Sequence, residues 1–479
     1  MTRRLAPSAL LALLAGCAAA RGEERGATVM FASGADLQSI NPLVTLHPLA
    51  RQVQRYVLLT TLARYDDSLV ARPYLARSWS WTPDRRRLTF VLQRGVRWHD
   101  GRPTTARDAA WTLEAARDPT VGYPRATELR DVAAVDAPDD STLLVRFASP
   151  QAGLPDVLTD LAILPAHLLG TERRGRMRAA AWNAHPVGNG PFRFVRHEPN
   201  RRWVFAANPE FPAALGGPPS LERLVIAVVD EPVTKLAALV SGELDFAGIQ
   251  PAHAEFVRRD PGLRVLDYPL LFTYGVVLNT RRPPFDRLDV RRAIAAALDR
   301  REIVDAHVYG FGEPAYGPVP PGLPGAVTVQ PASVVTGRAR SLPRRSRGSF
   351  ELLTAGSGEG TLEQLIQAQL AAAGFEVRIR QLELSTFLSR LYGPAHDFDA
   401  AVLGIPGDPG LGYLGPLAAL AGAPALADPA AAQRMFGDSA PVAFLYHARG
   451  VQGMNRRVLG VTMDLRGELA TVHDWRVGR

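Results

Sequence analysis

The stretch "LTFVLQRGVRWHDGRPTTARDAAWTLEAA" places His99 directly beside Asp100, with Asp108 a short way further on. A histidine next to a carboxylate is a combination that general acid–base catalysis uses. Adjacent residues on an extended strand point to opposite faces, however, so these two side chains would not meet. Asp100-Gly101 is typical of a tight turn, and Thr105 with Asp108 has the spacing of a helix capping box. The pattern therefore predicts a structural role for His99 and no catalytic one.

Alternating apolar residues predict a β-hairpin in this stretch, with its first strand at 88–92 and its second at 96–98. A helix would follow Thr105, and residues 51–150 as a whole indicate a small β-rich module with one helix. Strand–helix–strand patterns at 221–249 and 349–383 predict an α/β core. The segment at 289–310 predicts one helix, with an aspartate at its start and a glycine after its end.

Composition limits the classes of function. A chain of 479 residues exceeds what one hydrophobic core usually organises, so two or three lobes are expected. The net charge is +8, but the 55 basic residues are spread out and the densest cluster, 338–347, lacks aromatic residues. This distribution argues against nucleic-acid binding. Lys235 is the only lysine, and its neighbours exclude a Walker motif.

The first residues, "MTRRLAPSALLALLAGCAAA", contain two arginines and a short apolar run that ends in Leu-Ala-Gly-Cys. This resembles a bacterial lipobox, so residues 1–17 are predicted to be a lipoprotein signal peptide, Cys17 the lipidated residue and 18–27 a flexible tether. A secretory signal with an incidental cysteine, or twin-arginine export, are the alternatives. Because Cys17 is the only cysteine, an intramolecular disulfide and cysteine metal sites are excluded.

Six motifs occur in one order along most of the chain, and together they resemble the solute-binding proteins of bacterial ABC importers, extracellular family 5. The motifs are "LTFVLQRGVRWHDGRPTTARDAAWTLE", "HPVGNGPFRFVRHEP", "KLAALVSGELDFAGI", "GVVLNTRRPPFDRLDVRRAIAAALDRREIV", "LIQAQLAAAGFEVRIRQLE" and "APVAFLYHARGVQGM". The resemblance implies an α/β, two-lobed periplasmic-binding-protein clamshell, similar to type II, with an inserted β-rich subdomain.

The resemblance also implies the domain boundaries. Lobe I would comprise residues 28–46, 186–268 and 447–479, the inserted subdomain 47–185, and lobe II, in a shortened form, 269–446. Two extended crossovers, near Tyr268 to Tyr274 and near Tyr446, would form the hinge, and the solute would lie between the lobes.

The chain departs from the family pattern in three places. The segment "VVTGRARSLPRRSRGS" replaces a helix, and residues 410–438 are shorter than in relatives and lack their aromatic, acidic helices. In peptide-binding members a Trp-x-x-Asp motif follows the last lobe II strand, and its Asp holds the amino terminus of the peptide. Val402 and Ile405 stand at those positions here, and only Asp408-Pro409 remains.

The predicted function is therefore the binding component of an ABC importer, a monomer lipid-anchored in the cell envelope. It would deliver a small solute, a peptide or another compound, to permease and ATPase subunits, without catalysis, cofactor or metal. A diverged clamshell lipoprotein with a sensing or scaffolding role and a secreted hydrolase are the alternatives, although neither H-E-x-x-H nor G-x-S-x-G occurs. The predicted ligand-binding residues are Asp36, Gln38, Asn41, Thr273, Tyr274, Asn279, Asp408 and Tyr413.

Overall fold

The computed structural model describes residues 26–45, 47–327, 348–356, 360–426 and 428–478. The predicted signal peptide, Cys17 and most of the segment "VVTGRARSLPRRSRGS" lie outside these ranges. Among the described helices, none has both the length and the apolar character needed to cross a membrane.

The strands in chain order are β1 (Thr28–Ser33), β2 (Ala63–Tyr65), β3 (Ala71–Pro73), β4 (Ala76–Trp81), β5 (Arg87–Leu92), β6 (Val132–Asp136), β7 (Thr142–Phe147), β8 (Phe192–Glu198), β9 (Arg202–Ala207), β10 (Arg223–Val228), β11 (Phe246–Gly248), β12 (Leu263–Leu278), β13 (Gly312–Pro314), β14 (Ser349–Ala355), β15 (Glu376–Leu382), β16 (Ala400–Pro406), β17 (Val442–Asn455), β18 (Val458–Leu459) and β19 (Arg476–Val477).

The α-helices are α1 (Pro48–Gln52), α2 (Ala106–Arg117), α3 (Asp156–Asp160), α4 (Ala166–Leu169), α5 (Pro232–Val240), α6 (Ala254–Arg259), α7 (Leu288–Ala297), α8 (Arg300–Val308), α9 (Thr361–Ala372), α10 (Leu384–Tyr392), α11 (Leu414–Ala421) and α12 (Pro429–Ser439). A π-helix, Val53–Leu58, continues α1. Short 3₁₀ turns lie at Ala126–Leu129, Arg174–Ala179, Ala181–Asn183, Ala213–Leu215, Pro251–His253 and Val472–Asp474.

One large mixed sheet runs through the molecule in the order β15-β14-β16-β12-β17-β11-β1-β10-β9-β8, with β13 added on β17. The strands β12 and β17 are long enough to belong to both halves, and they pair antiparallel along most of their length. Their register shifts between Pro269 and Thr273 and again between Tyr274 and Gly275. These irregularities lie where the sequence predicts the crossover between lobes, and they divide the sheet into two parts.

The parallel strands of both parts end at this crossover. On one side β1 is parallel to β10 and β11, and β11 pairs with β17 so that Gly248 lies nearer the crossover than Phe246. On the other side β14 is parallel to β15 and β16, and the last residue of β16, Pro406, pairs with Phe272. The loops that follow these strands therefore face each other across a cleft, the position at which α/β sheets bind ligands.

A separate antiparallel sheet, β4-β5-β7-β6, and helix α2 form the predicted β-rich insertion. The capping box is present, since the backbone N–H of Thr105 donates to Asp108 Oδ2 at 2.8 Å. The predicted second hairpin strand at 96–98 is wrong. The partners of β5 are β4 and β7, because the chain after Gly95 turns into a loop in which Arg97 bridges Pro103.

The insertion and the first half of the large sheet share one hydrophobic core. Phe31 and Phe246 of the large sheet belong to the same cluster of buried side chains as Phe90 and Trp98 of the insertion. The other half has two further clusters, one on each face of its sheet, and one of them also includes Leu69 of the insertion. The insertion therefore shares most of its core with one half and contacts the other near Leu69.

The helix predicted at 289–310 is two helices, α7 and α8. The chain is extended at Leu298 and Asp299, and the Asp299 side chain accepts hydrogen bonds from the backbone N–H groups of Arg301 and Glu302. An aspartate in this position caps the second helix. The predicted shortened segment at 410–438 contains the apolar helix α11 and the helix α12.

Candidate functional site

A cavity of about 230 Å³ lies in the cleft where the insertion, the loop after β16 and the C-terminal segment meet. Its lining includes the crossover residue Leu271. The residues of the insertion that line it are Pro48, Arg51, Gln52, Arg55, Tyr56, Tyr65, Leu69, Arg125, Asp156 and Asp160. The opposite wall of the cavity is formed by Gly407, Asp408 and Pro409. The C-terminal segment contributes Leu465, Arg466 and Gly467 to the lining. Its position between both halves of the sheet is the one expected for a solute.

The floor of the cavity is a cluster of arginines around one buried carboxylate. Arg51, Arg55 and Arg125 all donate to Asp160, whose side chain is 7% exposed. Burial alone would raise the pKa of Asp160, but the three guanidinium groups outweigh it and hold the pKa well below its usual range. Arg51 and Arg55 are four residues apart where α1 continues into the π-helix, so both project to one side.

The opposite wall is built by Asp408, which follows β16. Its carboxylate accepts hydrogen bonds from the backbone N–H groups of Gly412, at 3.0 Å, and Tyr413, at 3.2 Å. The Tyr413 hydroxyl donates to the Pro318 carbonyl at 2.9 Å, and the buried Thr273 hydroxyl donates to the same oxygen at 3.4 Å. Three of the predicted site residues are thus brought together beside the cavity.

Tyr274, the fourth, stacks on Tyr446 with ring centroids 4.8 Å apart. Both tyrosines lie at the crossover, on β12 and β17, and Phe272 meets the edge of Tyr274. Burial raises the pKa of Tyr274, and the nearby Glu363 carboxylate raises it further. The aromatic pair therefore remains neutral and packs at the crossover of β12 and β17.

The insertion and the loop after β16 touch directly at Asp156. The Asp156 carboxyl bonds with the Tyr65 hydroxyl and with the Gly410 backbone. A Cβ added to Gly410 would collide with that carboxyl group. Burial raises the pKa of Asp156, the Tyr65 bond lowers it, and the Asp408 and Asp160 carboxylates raise it, so the net direction is upward. This contact closes the cleft on one side of the cavity.

Asp36 and Asn41, two predicted site residues in lobe I, have side chains already occupied by the scaffold. The Asp36 carboxylate accepts from His197, Trp203 and two backbone N–H groups. Burial would raise its pKa, but these bonds lower it to about 2. Asn41 is fully buried and donates to Asn183 at 2.9 Å. Neither residue lines the cavity, and a role in ligand binding stays a prediction for both.

Gln38 and Asn279 also lie apart from the cavity lining. Gln38 is exposed, in a left-handed conformation with φ 62°. Asn279 follows the end of β12 that is remote from the crossover, and its amide donates to the backbone carbonyls of His396 and Phe398. Its position, five residues beyond Tyr274, takes it to the far end of the sheet and away from the cleft.

His99 has the structural surroundings that the sequence predicts. Its Nδ1 accepts from the Gly188 N–H at 3.2 Å, and its Nε2 lies 3.0 Å from the Gly190 carbonyl oxygen. Burial lowers the pKa of His99 to about 4. The neutral ring therefore carries its proton on Nε2 and joins two backbone groups. Asp100 instead pairs with His167 at 2.7 Å.

The arginine cluster and Asp156 were not predicted from the sequence. A local signal existed, because Arg51 and Arg55 share a helix face in an otherwise apolar segment, as do Asp156 and Asp160 at the same spacing. Within the described residues, no group of three or more histidine, cysteine, aspartate or glutamate side chains could hold a metal ion.

Comparison with known proteins identifies the family. A sequence model of the bacterial extracellular solute-binding proteins, family 5 (middle region), matches residues 71–419. A di/tripeptide-binding protein 2 of Pseudomonas aeruginosa is 28% identical over 433 residues, which are 83% of this chain and 80% of the relative. A Brucella ovis protein named as an ABC transporter peptide-binding protein is 31% identical over 256 residues, 53% of this chain. That match spans about half, 48%, of the Brucella protein.

Solved structures share the fold. The oligopeptide-binding protein AppA of Bacillus subtilis, in complex with a nonapeptide, has a TM-score of 0.76 at 20% identity, with 95% of this chain and 99% of AppA covered. NikZ of Campylobacter jejuni, in complex with Ni(L-His), has a TM-score of 0.75 at 20% identity, with 94% and 99% covered. The predicted two-lobed α/β fold is confirmed. The chain belongs to the bacterial extracellular solute-binding proteins of family 5.

Proposed function

We propose that this protein is the solute-binding component of an ABC importer, which captures a small solute between two lobes and delivers it to a membrane permease. The cavity between the insertion and the loop after β16 is the observation that carries the proposal. A solute there would contact both halves of the molecule, and such contacts are what favour a closed state over an open one. Family membership supports the same role.

The proposed division into lobes follows the sheet. Lobe I comprises residues 28–46, 186–268 and 447–479, the insertion 47–185, and lobe II 269–446. The crossover of β12 and β17 acts as the hinge, because its register shifts interrupt the regular pairing there. Three chain segments meet at this point, since β13 also pairs with β17.

The solute would not be held by its amino terminus in the way that the family's peptide-binding pattern implies. Ile405, at the position of the expected aspartate, is a buried strand residue opposite Thr273. A buried ammonium group needs a carboxylate, because an unpaired charge costs several kcal/mol. Asp408 is the carboxylate that the loop after β16 contributes to the cavity, and its oxygens already accept two backbone N–H groups.

The test is a calorimetric or thermal-shift screen of the signal-free protein against peptides, sugars, metal chelates and opines. A solute at 100 times its dissociation constant should stabilise the fold by about 2.7 kcal/mol. The importer role predicts one class that binds tightly with a shift from an open to a closed shape. If no class binds, the proposal fails. Tight binding of an unblocked oligopeptide that is lost on N-acetylation would overturn the exclusion of amino-terminal capture.

We also propose that Cys17 anchors the protein in the cell envelope through lipids. The support is the Leu-Ala-Gly-Cys sequence at the end of the apolar run. Acyl chains contribute about 0.8 kcal/mol for each buried CH₂, so several chains on one residue give a stable anchor. Expression of Cys17→Ser in a bacterium should move the protein from the membrane fraction to the soluble fraction. Equal membrane retention of the variant and the parent would show that the anchor is elsewhere.

A further inference from the structure

The cavity floor carries more positive charge than its own ion pairs neutralise. Arg51, Arg55 and Arg125 share Asp160, and Arg125 is bonded in addition to Glu128, with Nη2 to Oε2 at 2.7 Å. Three guanidinium groups thus meet two carboxylates, which leaves one positive charge in excess. A partly buried charge in such a position is stabilised by a further group of opposite charge.

Arg51 is the member of the cluster that a solute can reach. Its side chain is 34% exposed, compared with 18% for Arg55 and 14% for Arg125. In the described part of the chain its guanidinium is bonded to Asp160 through Nη2. Its other edge therefore remains available to the cavity, and a guanidinium edge presents two parallel donors that suit an oxyanion.

Arg55, behind Arg51, has a buried donor without a partner. Its Nη1 donates to Asp160, but its Nε is buried and has no hydrogen-bond partner among the residues that the structure describes. A buried donor left unpaired costs on the order of 1–3 kcal/mol, so native proteins seldom retain one without reason. Arg55 therefore contributes its positive charge behind Arg51, while Arg51 supplies the accessible donors.

The other charged residues of the cavity have their partners already. Arg466 is held by Asp464, with Nη2 to Oδ2 at 2.6 Å. Asp408 accepts backbone N–H groups, and Asp156 bonds with Tyr65. Among the arginines that line the cavity, Arg51 is therefore the one whose guanidinium has a donor edge open to a solute.

We propose that the cleft binds an oxyanion group of the solute, a carboxylate or a phosphate, between Arg51 and Arg55. This inference rests on the proposed function, since it names the chemistry of the solute that the importer would take. The pocket of about 230 Å³ is small, so the anionic group and the atoms next to it fill it. Arg51 binds the group directly, and Asp160 holds both arginines in position.

The experiment compares acetate and inorganic phosphate with chloride at matched ionic strength, by thermal unfolding of the signal-free protein. The parent should show a rise in Tm of about 2 °C once the oxyanion reaches ten times its dissociation constant. Acetate and phosphate distinguish a carboxylate site from a phosphate site by the size of the response. Arg51→Gln should lose the rise. Arg94→Gln, a matched change in net charge at an exposed turn residue, should keep it.

Three results would overturn the proposal: no rise in the parent, an equal rise in Arg51→Gln and the parent, or an equal loss in Arg94→Gln. If Arg51→Gln does not fold, Arg51→Lys replaces it. Lysine keeps the charge beside Asp160 but lacks the planar pair of donors, so the increase in Tm caused by the oxyanion should be half that of the parent or less. Failure of the importer role has a different signature, because the oxyanion response would persist while every solute of the screen fails to bind.

Discussion

The imidazole of His99 joins two backbone groups in the segment that follows the insertion. It accepts from the Gly188 N–H and approaches the Gly190 carbonyl, and both glycines lie so close to Leu58 that a Cβ would collide with its backbone. This ring therefore fixes the insertion against lobe I. His99 and Asp100 therefore have separate structural roles, because the histidine contacts two backbone groups and the aspartate pairs with His167.

His99→Ala should leave solute affinity within a few-fold of the parent, since His99 does not line the cavity. The free energy of unfolding should fall by roughly 1–3 kcal/mol, because the Gly188 N–H loses its acceptor, whereas the Gly190 carbonyl keeps its bond from the Asn208 amide. Calorimetry and denaturant unfolding measure the two quantities. His253→Ala, in a half-buried turn of lobe I, is the control. Loss of binding in a His99 variant that remains folded would contradict the structural assignment.

His99 also makes stability depend on pH. Its pKa is about 4 in the folded protein, against 6.5 for a free histidine, because burial disfavours the charged ring. Between these values the unfolded chain binds a proton that the native state does not, so stability is full above pH 6.5 and declines as the pH falls towards 4. The loss is on the order of 3 kcal/mol. Unfolding of His99→Ala should show a correspondingly smaller decline, and an unchanged pH profile would argue against a buried neutral ring.

At the scale of elements, Asp245 joins three segments of lobe I. Its fully buried carboxylate accepts from the Met30 N–H of β1 at 2.8 Å. Arg457, just after β17, donates to both of its oxygens at 2.7 Å. The bidentate geometry is the strongest form of this ion pair. The aspartate of the "GELDFAGI" motif is therefore a structural residue of the sheet.

Asp245→Ala should lower the free energy of unfolding by about 3–5 kcal/mol, because it leaves Arg457 and the Met30 N–H without their buried acceptor. Denaturant unfolding measures this change. Asp230→Ala, at an exposed position of the same lobe, should stay within about 0.5 kcal/mol of the parent. A loss below 1 kcal/mol in the Asp245 variant would mean that water or another group replaces the carboxylate.

The sequence predicts elements whose signals are local. The capping box at Thr105 and the β14-α9-β15 unit follow from residue spacing, and both are confirmed. The order of the strands within the sheet does not follow from such local signals. Strand β1 lies between β10 and β11, although these two strands are consecutive in the strand–helix–strand pattern of the sequence. Asn279 is a predicted ligand-binding residue, and the backbone partners of its amide lie more than 100 residues away in the chain. Such non-local contacts leave no periodic signal.

The arginine cluster shows the same limit at the site itself. Arg51 and Arg55 are neighbours on a helix, but their common partner Asp160 is more than 100 residues further along the chain. Only the packing of the insertion brings the three side chains together at one wall of the cavity. The predicted residue Asp408 lines the cavity and Tyr413 lies beside it, because the position of strand ends at a cleft can be inferred from the α/β pattern. Their role in ligand binding stays a prediction.

At the scale of the whole molecule, the contact between Asp156 and the Gly410 backbone connects the insertion to lobe II beside the cavity. Asp408 belongs to the same lobe II loop, and its carboxylate raises the pKa of Asp156. Two carboxyl groups on opposite walls repel each other when both are ionised, so the protonation of Asp156 affects how firmly the cleft closes. We therefore expect the strength of this contact across the cleft to depend on pH.

Asp156→Asn should make closure of the cleft insensitive to pH over the range in which Asp156 titrates. Burial raises the pKa of Asp156 in the closed state, so the closed state is favoured below the pKa of an open, solvated aspartate, and this advantage is lost as the pH rises through the raised value. The radius of gyration from small-angle X-ray scattering should therefore increase with pH in the parent and stay constant in the variant. Asp438→Asn, at an exposed residue of α12, should behave like the parent. An Asp156 variant that expands with pH as the parent does would assign the opening to another group.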